Sequence, residues 1–127
     1  KSAILLDMKA MIKRSQSAAL LVLYDPADAL LVADTLWVIR GGKLVQSGTP
    51  NAIIAHPAHH EIAGLFDYIN VVPADLNIPG PWREENGVKW LYAHDLPALD
   101  AEVLDRMETP SGSIIVYQYQ NHRLLKK

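Results

Sequence analysis

The chain has 127 residues, half of them hydrophobic and a fifth charged, with a formal net charge of −2. This composition argues against disorder and suits one domain or two small ones. The near-neutral charge argues against a nucleic-acid-binding surface, and the absence of cysteine excludes disulfides and thiolate metal sites. The longest apolar run, residues 18–23, is far shorter than a membrane-spanning helix.

The first third of the sequence alternates helix and strand signals. Residues 1–15 are predicted to form an amphipathic helix, because apolar residues recur at the helical period, at Ile4, Met8, Met11 and Ile12. Residues 18–23 are continuously apolar, which is typical of a strand buried on both faces of a parallel sheet. If no neighbouring strands covered it, we expect this segment to oligomerise, exchange strands or rearrange.

Two cap-and-proline pairs then mark helix starts. Asp25-Pro26 predicts a helix to about residue 33, and Thr49-Pro50 predicts a short helix over residues 51–55. Between them, Gly41-Gly42 is a tight turn that joins predicted strands at residues 36–39 and 44–46. A further short helix is predicted at residues 58–66.

Beyond residue 67, proline punctuates shorter segments and helical periodicity weakens. Residues 88–93 and 113–119 are rich in Val, Ile, Tyr and Trp and predict strands, with a last strand at residues 123–125. Residues 100–107 are predicted to form one or two helical turns. We therefore predict two domains, an α/β piece at residues 1–66 and a small β-rich module at residues 67–127.

Residues 25–34, Asp-Pro-Ala-Asp-Ala-Leu-Leu-Val-Ala-Asp, together with residues 38–50, resemble one segment of one family. The family is the ATP-binding subunits of ABC transporters, and the segment follows their switch histidine. Thr49-Pro50 and His56-Pro57 resemble the exit from the nucleotide-binding domain in importers of the maltose, polyamine and ferric-iron type. The resemblance implies an α/β fold class: a partial nucleotide-binding domain followed by a small β-rich, OB-like C-terminal module.

The residues with which this family binds and hydrolyses ATP are not found in these 127 residues. The sequence contains no phosphate-binding G-x-x-x-x-G-K-[ST] loop, and Tyr24 occupies the position of the switch histidine. A phenol titrates near 10, so tyrosine is a poor proton shuttle at pH 7, although its hydroxyl can still donate a hydrogen bond. We favour a structural role in which the Tyr24 ring packs at a strand end. No catalytic or cofactor-binding residue is assigned to this chain.

The resemblance further implies that the chain is the C-terminal part of a longer subunit that binds ATP and Mg²⁺. That subunit would energise solute import as a homodimer or oligomer. It would be cytoplasmic, at the inner face of the membrane, bound to permease subunits. The chain by itself should not hydrolyse ATP. The alternative is a stand-alone ligand-sensing or interaction module that has lost the ATPase machinery.

Three further groups of residues are candidate sites. In the histidine-rich segment 56–61, only His56 and His60 share a helical face, so zinc or nickel binding is a weak hypothesis beside a solvated loop. His94-Asp95 lacks a defined nucleophile and is interpreted as a strand end followed by a turn. Five aromatic residues are interpreted mainly as core packing rather than a ligand cage: Trp82, Trp90, Tyr92, Tyr117 and Tyr119.

Overall fold

The computed structural model describes residues 2–127, with side chains from residue 3. Lys1, the start of the predicted first helix, lies outside the described residues. The helices are α1 Ser2–Arg14, α2 Pro26–Val32, α3 Pro50–Ala55 and α4 His60–Phe66, with a 3₁₀ turn at Ala93–Asp95. The strands are β1 Leu36–Arg40, β2 Lys43–Gly48, β3 Ile69–Pro73, β4 Arg83–Glu85, β5 Val88–Tyr92, β6 Glu102–Thr109, β7 Gly112–Tyr119 and β8 His122–Lys126.

The strands form antiparallel sheets of order β1-β2, β3-β5-β4 and β6-β7-β8. The chain divides into two compact units, Lys1–Ala58 and His59–Lys127. The predicted fold class is confirmed: helices accompany antiparallel sheets, and the C-terminal region is rich in β structure. The predicted domain limits, 1–66 and 67–127, stay a prediction. None of the described helices is long and apolar enough to cross a lipid bilayer.

The first unit is built from capped helices and one hairpin. Asp25 caps α2 by accepting a hydrogen bond from the Ala27 N–H at 2.9 Å, and Thr49 caps α3 through the Ala52 N–H at 3.2 Å. Proline is the first residue of each helix, as predicted. The β1–β2 hairpin turns through Gly41 and Gly42, whose φ angles are both positive. The caps and the turn therefore follow the local sequence signals.

Residues 18–23 do not form the predicted buried strand. They lie outside every described helix and strand, and Leu20 and Val22 are 77% and 78% exposed. A strand of a parallel sheet takes its hydrogen bonds from neighbours, and none of the described strands pairs with this segment. The prediction is wrong because it rested on apolar composition, and composition alone supplies no pairing partner.

The second unit contains a contiguous apolar core. It is formed by buried side chains from three strands and two connecting segments: Val72, Ile78, Leu91, Leu96 and Leu124. Trp82, Tyr117 and Tyr119 pack against this cluster at partial burial. Buried Asn70 on β3 joins the two sheets, because its side-chain amide exchanges two hydrogen bonds with the backbone of Leu125 on β8, at 2.7 and 2.8 Å.

The prediction of helical turns at residues 100–107 is wrong, since strand β6 begins at Glu102 and continues to Thr109. β6 pairs with β7 along its length, from Glu102 opposite Gln118 to Thr109 opposite Gly112. Residues with good helix propensity are drawn into a strand because the sheet partner supplies the backbone hydrogen bonds. Strands β3 and β4 were not predicted either.

Candidate functional site

Tyr24 lies in the irregular connection before α2, directly before the capping residue Asp25. Its side chain is 96% exposed, so the expected packing of its ring at a strand end is wrong. The residues around it form an open concave surface: Val22, Leu23, Tyr24, Asp25, Pro26 and Asp28. Asp28, in the first turn of α2, is buried. Tyr24 is therefore presented to solvent on a surface whose lining also includes Asp25 and Asp28.

The chemistry open to this surface is limited. A phenol hydroxyl can donate one hydrogen bond to an anionic oxygen, but at neutral pH it does not exchange protons as an imidazole does. Asp25 is engaged as a helix cap, through its bond to the Ala27 N–H. The surface can accordingly position a polar group, but it carries no nucleophile–base pair of the kind that acyl or phosphoryl transfer requires.

The histidine-rich segment is divided between the two compact units. His56 belongs to the first unit, where its side chain is exposed. His60 begins α4 in the second unit, where its ring contacts the Glu85 carboxylate. In the part of the chain that the structure describes, no group of three or more His, Asp or Glu side chains is arranged to hold a metal ion.

Glu85 on β4 organises the start of α4. Its two carboxylate oxygens accept the His60 backbone N–H at 3.1 and 3.3 Å, in addition to the contact with the His60 ring. His59, at the capping position, makes no side-chain cap bond. The Glu85 carboxylate, from a strand distant in sequence, caps the helix in its place. This contact accounts structurally for His60, one of the two weak metal candidates.

His94 lies in the 3₁₀ turn that follows β5, in agreement with the prediction of a strand end followed by a turn. Its ring stacks on Tyr92 with centroids 5.2 Å apart, and its two ring nitrogens each lie 3.5 Å from a carboxylate, of Asp67 and of Asp95. Lys127 also contacts Asp67, at 3.6 Å. These residues form a surface charge network about the end of β5.

The aromatic residues of β5 confirm the core-packing interpretation. Trp90 and Tyr92 are each 3% exposed and meet edge-to-face at 5.3 Å. The Arg83 guanidinium covers both rings, 4.7 Å from the Trp90 centroid and 5.6 Å from that of Tyr92. Burial raises the pKa of the Tyr92 phenol, and the Asp67 and Asp95 carboxylates add to this, against the opposing effect of Arg83.

Sequence reasoning missed three residues that the structure makes prominent: Asn70, Arg83 and Glu85. Asn70 carried a usable signal, because an amide inside the apolar run Ile69–Pro73 is a candidate buried polar group. Arg83 and Glu85 carried no local signal. Their partners are distant in sequence or on the opposite strand, and only the folded chain brings them together.

Comparison with known proteins shows similarity to ATP-binding subunits of ABC importers. The chain is 30% identical over 109 residues, 86% of its length, to the sulfate/thiosulfate import ATP-binding protein of Chromobacterium violaceum. It is 34% identical over 59% of its length to the sn-glycerol-3-phosphate import ATP-binding protein of Cupriavidus metallidurans. It is also 34% identical over 55% of its length to the spermidine/putrescine import ATP-binding protein of Pseudomonas fluorescens.

These alignments cover a minor part of each relative. The chain spans 29% of the Chromobacterium protein, 21% of the Cupriavidus protein and 20% of the Pseudomonas protein. No family model matches the chain. The resemblance inferred from residues 25–50 is thus confirmed at the level of the kind of protein: the chain is similar to importer ATP-binding subunits over a portion of their length.

Proposed function

We propose that this chain is the C-terminal, regulatory portion of the ATP-binding subunit of an ABC importer. The observation that carries the proposal is the alignment of 109 residues to an import ATP-binding protein. That alignment is longer than either compact unit, so it extends over both. The hairpin unit and the β-rich unit therefore occur together in a relative of this kind, which favours a part of a subunit over an independent sensor module.

In this proposal the chemistry resides in residues that these 127 do not include. ATP and Mg²⁺ would bind a phosphate-binding loop and an acidic strand end elsewhere in the longer subunit. The present chain would contribute contacts between subunits and regulation, and would not hydrolyse ATP by itself. The longer protein would work as a homodimer at the inner face of the membrane, bound to permease subunits and exposed to the cytoplasm.

The proposal is tested by reading the genomic frame upstream of this coding segment and expressing the longer protein. We expect the frame to pass through a G-x-x-x-x-G-K-[ST] loop, and the longer protein to turn over ATP and co-purify with permease subunits. Replacing the loop lysine by alanine should abolish turnover, which controls for contaminating ATPases. A frame that begins near residue 1, or a longer protein that neither binds ATP nor retains permeases, would favour the stand-alone module.

The exposed hydroxyl at the switch position gives a second test in the longer protein. We expect Tyr24→His to raise ATP turnover at least about tenfold, because general acid–base groups contribute roughly 10²–10⁴-fold and a phenol is protonated at pH 7. Tyr24→Phe controls for the hydroxyl and should lower ATP turnover only if that hydroxyl contacts phosphate. Equal turnover in all three proteins would show that this position does not limit hydrolysis.

A further inference from the structure

Strand β6 is the free edge of the sheet β6-β7-β8. Among the described strands it pairs with β7 alone, and seven of its eight residues are exposed. Such an edge offers a row of backbone groups to another strand. The Arg106 N–H donates to Asp105 Oδ1 at 2.8 Å, a local bond that satisfies this group when the strand is unpaired. Within the part of the chain that the structure describes, the outer edge of β6 is unpaired, and its side chains determine which partner fits.

The side chains of β6 are complementary to a second copy of the same strand. Beyond the irregularity between Val103 and Asp105, the stretch from 105 to 109 pairs regularly with β7. Placing Met107 on a two-fold axis in an antiparallel pair sets Arg106 opposite Glu108 of the second copy, and the reverse pair follows by symmetry. Asp105 then lies opposite Thr109 of the second copy. The two symmetry-related Arg106–Glu108 pairs are attractive, and the exposed Met107 side chains meet at the axis.

Other registers are less favourable. Shifting the antiparallel pair by one residue toward the N-terminus sets Asp105 opposite Glu108 of the second copy, which repels. The register that sets Asp105 opposite Arg106 places the irregular part of the strand, around Leu104, in the new ladder. A parallel in-register pair sets Arg106 against itself. The charge pattern therefore specifies antiparallel pairing centred on Met107.

We propose that two copies of this chain associate through β6, in an antiparallel pair centred on Met107. The inference deepens the proposed function, in which two subunits act together, by naming a surface through which they meet. Its tests measure cross-linking and oligomeric state rather than ATP turnover, so the pairing and the importer role can fail independently.

A cysteine at the axis tests the register. The chain has no cysteine, so Met107→Cys introduces a single thiol. At the axis of an antiparallel pair the two Cα atoms are about 4.5–5.5 Å apart, a separation that a disulfide spans. Val103→Cys is the matched control, because Val103 is similarly exposed, at 45% against 37%, but would lie roughly 26 Å from its counterpart.

On mild oxidation we expect the Met107→Cys protein to form a covalent dimer and the Val103→Cys protein to stay largely monomeric. Equal cross-linking of the two variants, or cross-linking of Val103→Cys alone, would overturn the register. No cross-linking of either variant at millimolar protein would overturn the pairing.

A charge swap tests the pairing without a covalent bond. Arg106→Glu and Glu108→Arg each set like charges opposite one another and should raise the dimer dissociation constant at least about tenfold. The double variant restores opposite charges and should restore association to within about threefold. Analytical ultracentrifugation measures all four proteins, and circular dichroism confirms that each is folded. A double variant as weak as the single variants, or single variants that dimerise normally, would overturn the proposal.

Discussion

At the scale of single residues, two side-chain amides replace backbone pairing where the chain has no regular partner. Gln46 on β2 donates to the His56 carbonyl at 2.9 Å and accepts the Ala58 N–H at 2.8 Å, which ties the segment after α3 to the hairpin. Asn70 makes the equivalent reciprocal pair with Leu125. An amide suits this role because it carries one donor and one acceptor side by side, as a peptide group does.

Asn70 is expected to contribute strongly to stability, since it is 4% exposed and both of its hydrogen bonds go to the backbone of β8. Asn70→Ala should lower the free energy of unfolding by about 2–3 kcal/mol, because it leaves a backbone donor and acceptor without partners in a partly buried place. Urea unfolding followed by tryptophan fluorescence measures this. Asn77→Ala, at an exposed position in the same unit, is the control and should change stability by less than about 0.5 kcal/mol.

Tyr92 gives the second unit a dependence on alkaline pH. Its pKa is raised in the folded protein, chiefly by burial, so folding favours the neutral phenol. Its contribution is fully present below the ordinary tyrosine value near 10 and is lost as the pH rises through the raised value. Urea midpoints measured from pH 8 to 11 should therefore fall less steeply in Tyr92→Phe than in the parent protein. Identical slopes would show that folding does not raise the pKa of Tyr92.

At the scale of elements, the β1–β2 hairpin was the best-predicted part of the fold and is one of the least buried. Gly41 and Gly42 have φ angles of +57° and +75°, which suit a two-residue hairpin turn. Trp37, Ile39 and Leu44 are nonetheless 57–61% exposed. Turn chemistry and strand periodicity therefore form the hairpin locally, while half of its six large apolar side chains are exposed to water.

The turn can be tested at Gly42, where an added Cβ would meet no atom within 4 Å. Any cost of a substitution there comes from the positive φ angle alone. Gly42→Ala should destabilise the first unit by about 1–2 kcal/mol, whereas Gly42→Asn should cost clearly less, because asparagine tolerates this conformation. Thermal unfolding followed by the fluorescence of Trp37 compares them. Equal losses in the two variants would contradict the backbone explanation.

At the scale of the whole molecule, the buried apolar residues are distributed unequally. Of the described residues in the unit Lys1–Ala58, the buried hydrophobic side chains are Leu36 and Ile53, whereas the unit His59–Lys127 holds the contiguous core around Leu91 and Leu124. Burial of apolar area is the dominant favourable term in folding. The second unit should consequently be the more stable of the two.

We expect unfolding in two steps, with the first unit unfolding at lower urea concentration. In a Trp37→Phe variant the remaining tryptophans, Trp82 and Trp90, lie in the second unit, so fluorescence reports that unit alone. Circular dichroism at 222 nm is weighted toward the helices, most of which lie in the first unit. The fluorescence midpoint should exceed the dichroism midpoint by about 1 M urea or more. Coincident midpoints would mean that the chain unfolds as one cooperative unit.

The sequence by itself determined the features whose causes are local. Helices α2 and α3 begin where the Asp25 and Thr49 caps and the prolines after them predict, and the hairpin turns at Gly41-Gly42. Each of these signals needs only neighbours a few residues away. The pattern of residues 25 to 50 also indicated the similarity to importer ATP-binding subunits that the comparisons confirm.

Only the tertiary structure decided the features that depend on distant partners. Residues 18–23 have the composition of a buried strand but no described strand to pair with, while the helix-favouring residues of β6 are held in a sheet by β7. Glu85 caps α4 from 25 residues away, and Asn70 joins β3 to β8 across 55. Secondary-structure propensity depends on adjacent residues, so it can be judged from the sequence. The partner of a backbone hydrogen-bonding group or a charged side chain is instead the group that the fold brings within about 3 Å.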